Sequence, residues 1–457
     1  MAPSHSFRAK WVLPVLLCLV SGFCLAQRFG PPVKVTPTGG FGYEPSFVAD
    51  RFGNIFATAH KENWQLVLAP DLNSPTYTRS MSWDWISVDQ GQSFQDIQGL
   101  TPFSIEQHEF GDEGDMALDD SDHLFYVDTN VADDTFVRWK INALGNVTLE
   151  TTRPLIPAAQ FVDDRPWITA HGNGHVFYFG NEGDKVTYPL GTQGAGCGPG
   201  RYTVYPSTDG GNTFNALGCT LPDSGWCRPA SDHRPGQHTV YAICGNDGGS
   251  DDVFSPTNPK GTLYAYISND DSATWRRSII GNYMALDSTF SWPSVMVGPD
   301  GTVWAIYVDA HQLECTTDPM LGTSCDTDSN RLRLFQSTDG GATWKGKDIT
   351  PMPGRYRYAW LALSSDGSNL GVGVYYTPNS TTTPWKVYGA IFKPWQKPQL
   401  VSLDDSHPVS AAGSEPPGDY MGSYFLPNGI LGVIWTRREL SLGTTLERSI
   451  YFAHSLK

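Results

Sequence analysis

Ser87-Val88-Asp89-Gln90-Gly91-Gln92-Ser93-Phe94 decides how this chain is read, because the same S-x-D-x-G-x-[ST]-[FW] phrase returns at Ser207 to Phe214 and at Ser337 to Trp344. A fourth copy, Ser268 to Trp275, puts Ser272 where the glycine should be. Such a phrase suits a tight β-hairpin. The Asp carboxylate accepts backbone N–H bonds across the turn, Gly supplies a positive φ, and the aromatic residue packs back under the next strand. The copies start at 87, 207, 268 and 337, so the first gap, 120, is about twice the other two, 61 and 69.

A second phrase fills the holes: an apolar alternating run, a turn eight residues after an anchor, then another apolar run. It reads Pro45 to Gly53, Gly114 to Asp122, Pro166 to Gly174, Pro293 to Gly301, Ala359 to Gly367 and Met421 to Gly429, with a poorer copy at Pro229 to Gln237. The anchors 45, 114, 166, 229, 293, 359 and 421 lie 69, 52, 63, 64, 66 and 62 apart, the period of a bladed repeat. Where a Ser-x-Asp turn is present it follows its anchor by 39 to 44 residues, which makes two hairpins, hence four strands, per unit. The expected fold is all-β: a β-propeller of seven four-stranded blades, six being the alternative. After the last anchor only three strands remain, so Pro32-Val33-Lys34-Val35-Thr36 is expected to pair with the last blade and close the ring, removing the exposed edge. The period runs through residues 27–457, which read as one domain. Abundant Gly, Pro and aromatic residues, little charge and no long 3.6-period stripe agree with many short strands.

Residues 1–26 read as a secretory signal peptide: Arg8 and Lys10 precede the apolar run Trp11 to Val20, and Cys24-Leu25-Ala26 offers a small-x-Ala cleavage site. Export leaves six cysteines in an oxidising compartment. Cys315 with Cys325 is the most evident pair, and Cys197–Cys219 with Cys227–Cys244 is the nearest-neighbour choice of the three pairings open to the rest. No Cys-x-x-Cys or His-rich spacing points to zinc. Asn146-Val147-Thr148 and Asn379-Ser380-Thr381 are glycosylation sequons. Without the signal, 29 Lys and Arg face 47 Asp and Glu, a net charge of −18 that repels nucleic acid and anionic membranes. A soluble, extracellular monomer is expected.

In a propeller the starts of the inner strands and the ends of the second strands share one face around the central channel. Here those positions read Tyr43-Glu44, Asp112-Glu113, Asp163-Asp164-Arg165, Ser291-Trp292, Tyr356-Arg357-Tyr358 and Asp419-Tyr420, with His60, Glu62, Asp128, Asp309, His311 and Arg437 among the second-strand ends. The result is an acidic, aromatic mouth. Paired carboxylates there suit glycosidic acid/base chemistry, and aromatic rings suit sugar faces. For each residue taken alone the structural reading is at least as strong: strand-end carboxylates cap backbone groups, Arg165 beside Asp163 and Asp164 makes an ordinary ion pair, and Trp292, Trp167 and Trp360 serve inter-blade packing. The clustering on one face is what points to a site.

The Ser-x-Asp phrase resembles the Asp-box of the sialidase-like β-propellers, in which the box lies on the outer rim, away from substrate. Sialidases are similar to this chain in two further places. Their first inner strand opens with an Arg-Ile-Pro phrase that binds the sugar carboxylate, where Tyr43-Glu44-Pro45-Ser46 puts Glu44 in the Arg position. Their nucleophilic Tyr lies in a phrase similar to Tyr420-Met421-Gly422-Ser423 followed by Pro427-Asn428-Gly429. The channel-face positions, with the resemblance pointing to Tyr420 and to the Glu44 position, give Tyr420, Glu44, Asp164 and Asp419 as catalytic candidates and Arg165, His60, Trp292, Tyr358 and Arg437 as substrate-binding candidates. No Arg triad is assigned from Arg165, Arg357 and Arg437, so ordinary sialidase activity is not expected. Two classes remain: a secreted glycoside hydrolase or lyase acting on extracellular carbohydrate or glycoconjugate, and a non-catalytic propeller binding glycan, peptide or Ca²⁺ at the same face, where clustered oxygens suit a hard cation. No metal ligand is assigned. Carboxylates at glycosidase separation between aromatic walls favour the first; carboxylates converging on one point favour the second.

Overall fold

The computed structural model describes residues 27–37, 42–61, 82–97, 113–129, 134–154, 165–181, 195–215, 218–246, 260–284, 292–310, 314–318, 322–326, 329–439 and 448–457. The expected signal segment, Asp112, Asp163 and Asp164 lie outside them.

Seven four-stranded antiparallel sheets follow one another along the chain, and the described residues contain no helix. Blade one is built from Gly42–Ala49, Ile55–Lys61, Trp83–Ser87 and Gln95–Asp96. Blade two follows with Glu113–Leu118, His123–Thr129, Asp134–Ile141 and Val147–Pro154, and blade three with Trp167–His171, His175–Asn181, Tyr202–Ser207 and Cys219–Thr220. Blade four holds Ser224–Ser231, Val240–Asn246, Lys260–Ser268 and Arg276–Met284; blade five, Ser294–Val297, Val303–Ala310, Asn330–Ser337 and Lys345–Asp348. Blade six comprises Arg355–Leu363, Leu370–Thr377, Lys386–Phe392 and Val401–Ser402. In blade seven Gly422–Phe425, Leu431–Arg438 and Arg448–His454 are joined by Val33–Lys34 from the other end of the chain.

That closure has Val33 opposite Phe452 and Lys34 opposite Tyr451, extended by Val35 N–H to Ile450 O at 2.8 Å and Gly30 N–H to His454 O at 2.9 Å. The strand edge of the last blade is thereby covered by the chain's own start. Second strands are apolar on both faces because each blade packs between two others: Val176, Phe177, Tyr178 and Phe179 in sequence are all 0% exposed.

The four Ser-x-Asp turns share one hydrogen-bond set. Ser87 Oγ accepts Gly91 N–H and donates to Asp89 Oδ1, both at 2.8 Å, while Asp89 takes the Ser93 N–H at 2.9 Å and hydroxyl at 2.6 Å. The same bonds form around Asp209, Asp270 and Asp339. Donation from the Thr343 side chain and N–H and from Ser337 holds the Asp339 carboxyl well below the usual range. The aromatic residue departs from expectation. Phe94 packs edge-on against Phe452 of blade seven and Phe214 against Phe136 of blade two, so each reaches across to the preceding blade instead of under its own next strand. Glycine is required by this approach as well as by φ: a Cβ on Gly91 would lie 2.1 Å from Phe452 and one on Gly211 2.1 Å from Phe136. The turns therefore stitch neighbouring blades together.

Cys197–Cys219 and Cys227–Cys244 are disulfide-bonded, the latter directly across the first two strands of blade four. A small hairpin, Glu314–Asp318 with Gly322–Asp326, puts Cys315 opposite Cys325 in register, but the side chains there lie outside the described residues. Asn146 and Asn379 are exposed. No helix among the described residues is long and apolar enough to cross a membrane.

Candidate functional site at the channel mouth

The residue immediately before the anchor starts the inner strand, and in three blades its backbone is left-handed although it is not glycine: Glu44 (φ 55°), Arg165 (φ 61°) and Tyr358 (φ 51°). Such conformations are costly for bulky side chains and persist where the surroundings impose them, characteristically at functional sites. In blades one and six the register slips at the same point, between Tyr43 and Ser46 and between Arg357 and Trp360. These bulges re-aim the side chains at one end of the channel.

Arg165 of blade three pairs there with Asp419, which precedes blade seven, so the ion pair spans the ring; both side chains are largely covered, at 13% and 16% exposure. Glu44 is buried, its Oε1 accepting the Asp419 N–H at 2.8 Å and its own N–H donating to Thr436 Oγ1 at 3.1 Å. Gly418, at φ 75°, permits this approach, since a Cβ would sit 2.8 Å from Glu44 Cγ. Glu44 thus holds the backbone that presents Asp419. Tyr358 is buried, and burial together with the Asp419 charge raises its phenol far above the ordinary value, so it stays neutral. His60 stacks on Tyr43 at 4.0 Å, and Arg448 lies over the other partner of that stack, 3.3 Å from the Tyr43 ring centre. Burial, aided by Arg448 and Arg165, lowers His60 to about 3 and keeps it neutral. Arg357 and Arg355 share Glu415 at 3.2 and 3.7 Å.

Beneath the pair lies an aromatic floor. Trp167 meets Trp292 at 5.3 Å, Tyr420 at 5.1 Å and Trp360 at 6.1 Å, which joins blades three, five, six and seven across the axis. Tyr420 is only 1% exposed, so it presents little of itself to the mouth. Trp167 is 0%, Trp292 1% and Trp360 6% exposed, so these rings pack blade against blade across the channel. Below them Arg228 of blade four is sandwiched at 4.0 Å from Trp167 and 4.8 Å from Trp360, with its guanidinium on Asp115 of blade two at 3.0 Å. Asp115 also accepts from Ser46 Oγ at 2.6 Å and Ile168 N–H at 3.1 Å. Neither Arg228 nor Asp115 was singled out from sequence, though Arg228 stands just before the anchor Pro229, as Glu44, Arg165 and Tyr358 stand before theirs.

The structure therefore brings Glu44, Arg165, Asp419, Tyr358, Tyr420 and Trp292 together, with His60 at the edge. Arg437 is elsewhere: it bonds Asp404 at 2.7 Å and Glu439 at 3.5 Å and lies over Tyr451, between blades six and seven. At the opposite end the channel widens into a cavity of about 460 Å³ lined by inner-strand residues such as Val48, Leu118, Ala170, Ser231, Val297 and Leu363, with Arg228 and Trp360 as its floor. Polar and apolar groups line it in similar measure, with Arg228, Arg234 and His233 among them.

No protein-family model and no curated protein matches the chain. Among solved structures it is similar to a Dyadobacter fermentans protein of unknown function, at 13% identity over 94% of this chain and 98% of that one, with a TM-score of 0.48. An oligogalacturonate lyase from Vibrio parahaemolyticus is similar at 12% identity over 93% and 96%, TM-score 0.48. The intramolecular trans-sialidase from Ruminococcus gnavus is similar at 11% identity over 90% and 94%, TM-score 0.40. At such identities these likenesses concern the fold alone.

Proposed function

We propose that the chain is a secreted, single-domain member of the sialidase-like Asp-box propellers, released by removal of residues 1–26, that acts on extracellular carbohydrate at the channel mouth. The observation that carries this reading is the Arg165–Asp419 pair, which spans the ring at the mouth and keeps some exposure above the packed rings of Trp167, Trp292, Trp360 and Tyr420. Charged and polar groups converging on one mouth suit sugar hydroxyls, and the packed rings beneath hold those groups in place. Asp419 is the carboxylate best placed for acid/base work, and Arg165 and Tyr358 are hydrogen-bond donors beside it. Asp164, adjacent to Arg165 in sequence, is the proposed second carboxylate. Glu44 serves as a support for Asp419.

The burial of Tyr420 and the engagement of Glu44 by backbone favour a second reading, in which the same mouth binds glycan without a tyrosine-based hydrolysis. One experiment tests the site and separates the two readings. A panel of neutral, uronate-containing and sialylated oligosaccharides is offered to the wild type and to Asp419→Asn, with binding and product formation both recorded. Saturable binding of a non-sialylated glycan that Asp419→Asn weakens supports the site, and turnover lost in that variant supports the enzyme. Binding unaffected by Asp419→Asn, or no binding across the panel, would overturn the proposal.

A further inference from the structure

On the other face of the ring, at the turns, four histidines gather where blade three meets blade four. His171 ends the first strand of blade three and His175 begins the second, and they stand directly opposite each other across the turn. Cross-strand partners bring their side chains side by side, and the two rings stack at 5.1 Å. Asp271 reaches them from the Ser-x-Asp turn of blade four. His171 Nε2 lies 3.1 Å from Asp271 Oδ1 and His175 Nδ1 lies 3.2 Å from Asp271 Oδ2.

Those contacts have the wrong directions for hydrogen bonds. His171 Nε2, His175 Nδ1 and Asp271 Oδ1 are all buried without a hydrogen-bond partner, and His171 is only 2% exposed. Buried polar atoms in native proteins are nearly always satisfied, and an orphan of this kind calls for a group that satisfies it. Three such atoms facing one another have a common explanation. Around a tetrahedral ion with bonds of 2.0–2.1 Å, neighbouring donor atoms are about 3.3 Å apart, close to the two His–carboxylate distances here. All three donor atoms lie within 4.8 Å of one another, and a turn of the quarter-exposed His175 ring shortens the remaining edge.

The fourth Ser-x-Asp turn departs from the others at the positions concerned. Asp271-Ser272 stands there where the other turns have Gln90-Gly91, Gly210-Gly211 and Gly340-Gly341. Both adopt left-handed backbone without being glycine, at φ 54° and 71°. Asp271 N–H bonds His238 O at 3.1 Å, and His238 Nδ1 holds Asp271 Oδ2 at 2.7 Å, the kind of outer contact that orients a ligating carboxylate. Strain and support are thus both invested in presenting one carboxylate to two imidazoles.

We propose that His171, His175 and Asp271 form a transition-metal site, of the zinc class, that clamps the inner turn of blade three to the outer turn of blade four. Two imidazoles and one carboxylate suit Zn²⁺ better than Ca²⁺, which takes six or more oxygens. Three protein ligands leave a fourth position for water. Sequence spacing does not reveal the site because the His-x-x-x-His pair meets across a β-turn and its third ligand lies about a hundred residues on.

The test uses the whole mature chain after dialysis against a chelator. Calorimetric titration with Zn²⁺ at neutral pH is expected to show one equivalent bound, with a rise in Tm, and Co²⁺ to give the visible absorption of a tetrahedral site. Asp271→Asn and His175→Ala, each verified by circular dichroism to keep the β-fold, are expected to lose at least ~10-fold in zinc affinity. His233→Ala, whose ring bonds Asp120 instead, is expected to bind as the wild type does. Absence of saturable Zn²⁺ binding, or binding that survives both ligand variants unchanged or is lost in His233→Ala, would overturn the site.

Discussion

Replacing Arg228 by methionine keeps most of the side-chain volume and removes the charge from the centre of the channel. Its partner Asp115 has a side chain with 0% exposure, so the carboxylate cannot turn to water. Removing one member of a buried pair costs about 3–5 kcal/mol because the other charge is left uncompensated. The contacts to Trp167 and Trp360, at 4.0 and 4.8 Å, add to the loss, at about 0.5–1 kcal/mol each. Against that, Asp115 keeps the Ser46 hydroxyl and the Ile168 N–H, which places the carboxylate's share at the low end. Arg228→Met is therefore expected to lose about 4–5 kcal/mol in urea unfolding followed by tryptophan fluorescence. Asp115→Asn removes the stranded charge, so the double variant should be more stable than the sum of the single losses implies, by about 1–3 kcal/mol. A coupling below about 0.5 kcal/mol would refute the reasoning, because the two residues would then act independently.

Asp84 is a second buried carboxylate, and burial, with the nearby Asp128 charge, raises its pKa well above the usual value. A carboxyl raised in the folded state binds its proton more tightly there than in the unfolded chain, so stability falls as pH climbs from about 4 through the folded pKa. Asp84→Asn is expected to be more stable than wild type at pH 8, by about 1–3 kcal/mol, with the advantage fading toward pH 4; a pH-independent difference in the unfolding midpoint contradicts this. Gly211→Ala, at φ 77° and with Phe136 at 2.1 Å, should destabilise by about 2–5 kcal/mol, whereas Gly429→Ala, at φ 79° with open space, should lose about 1–2 kcal/mol. Equal losses would show that the approach of the preceding blade contributes nothing. A fluorogenic α-sialoside should not be turned over, since Glu44 adds negative charge where a sialate carboxylate would have to bind and Tyr420 is buried. Robust turnover abolished by Tyr420→Phe would restore a sialidase assignment.

The blade count and the closing strand were legible because propeller repeats write their period in turn residues: the anchors and Ser-x-Asp turns recur at intervals that only blades produce, and the three-strand remainder after Met421 called for Val33–Lys34. The site was legible only to within a residue. Strand-end reasoning named Arg437, but side chains alternate along a strand, and it is Thr436 that faces Glu44 while Arg437 points to Asp404 on the other face of blade seven. The left-handed backbone at Glu44, Arg165 and Tyr358 leaves no mark in residue type, since two of them precede proline and the third alanine. The Arg228–Asp115 pair was hidden for a different reason: its partners are 113 residues apart and meet only once four blades have closed around them.

The most direct test of the account is a crystal structure of the mature chain soaked with an oligosaccharide that it binds in solution. The account predicts sugar at the mouth, within hydrogen-bond distance of Arg165 and Asp419. Sugar in the cavity at the opposite end of the channel, or on the outer rim with the mouth left to solvent, would contradict it.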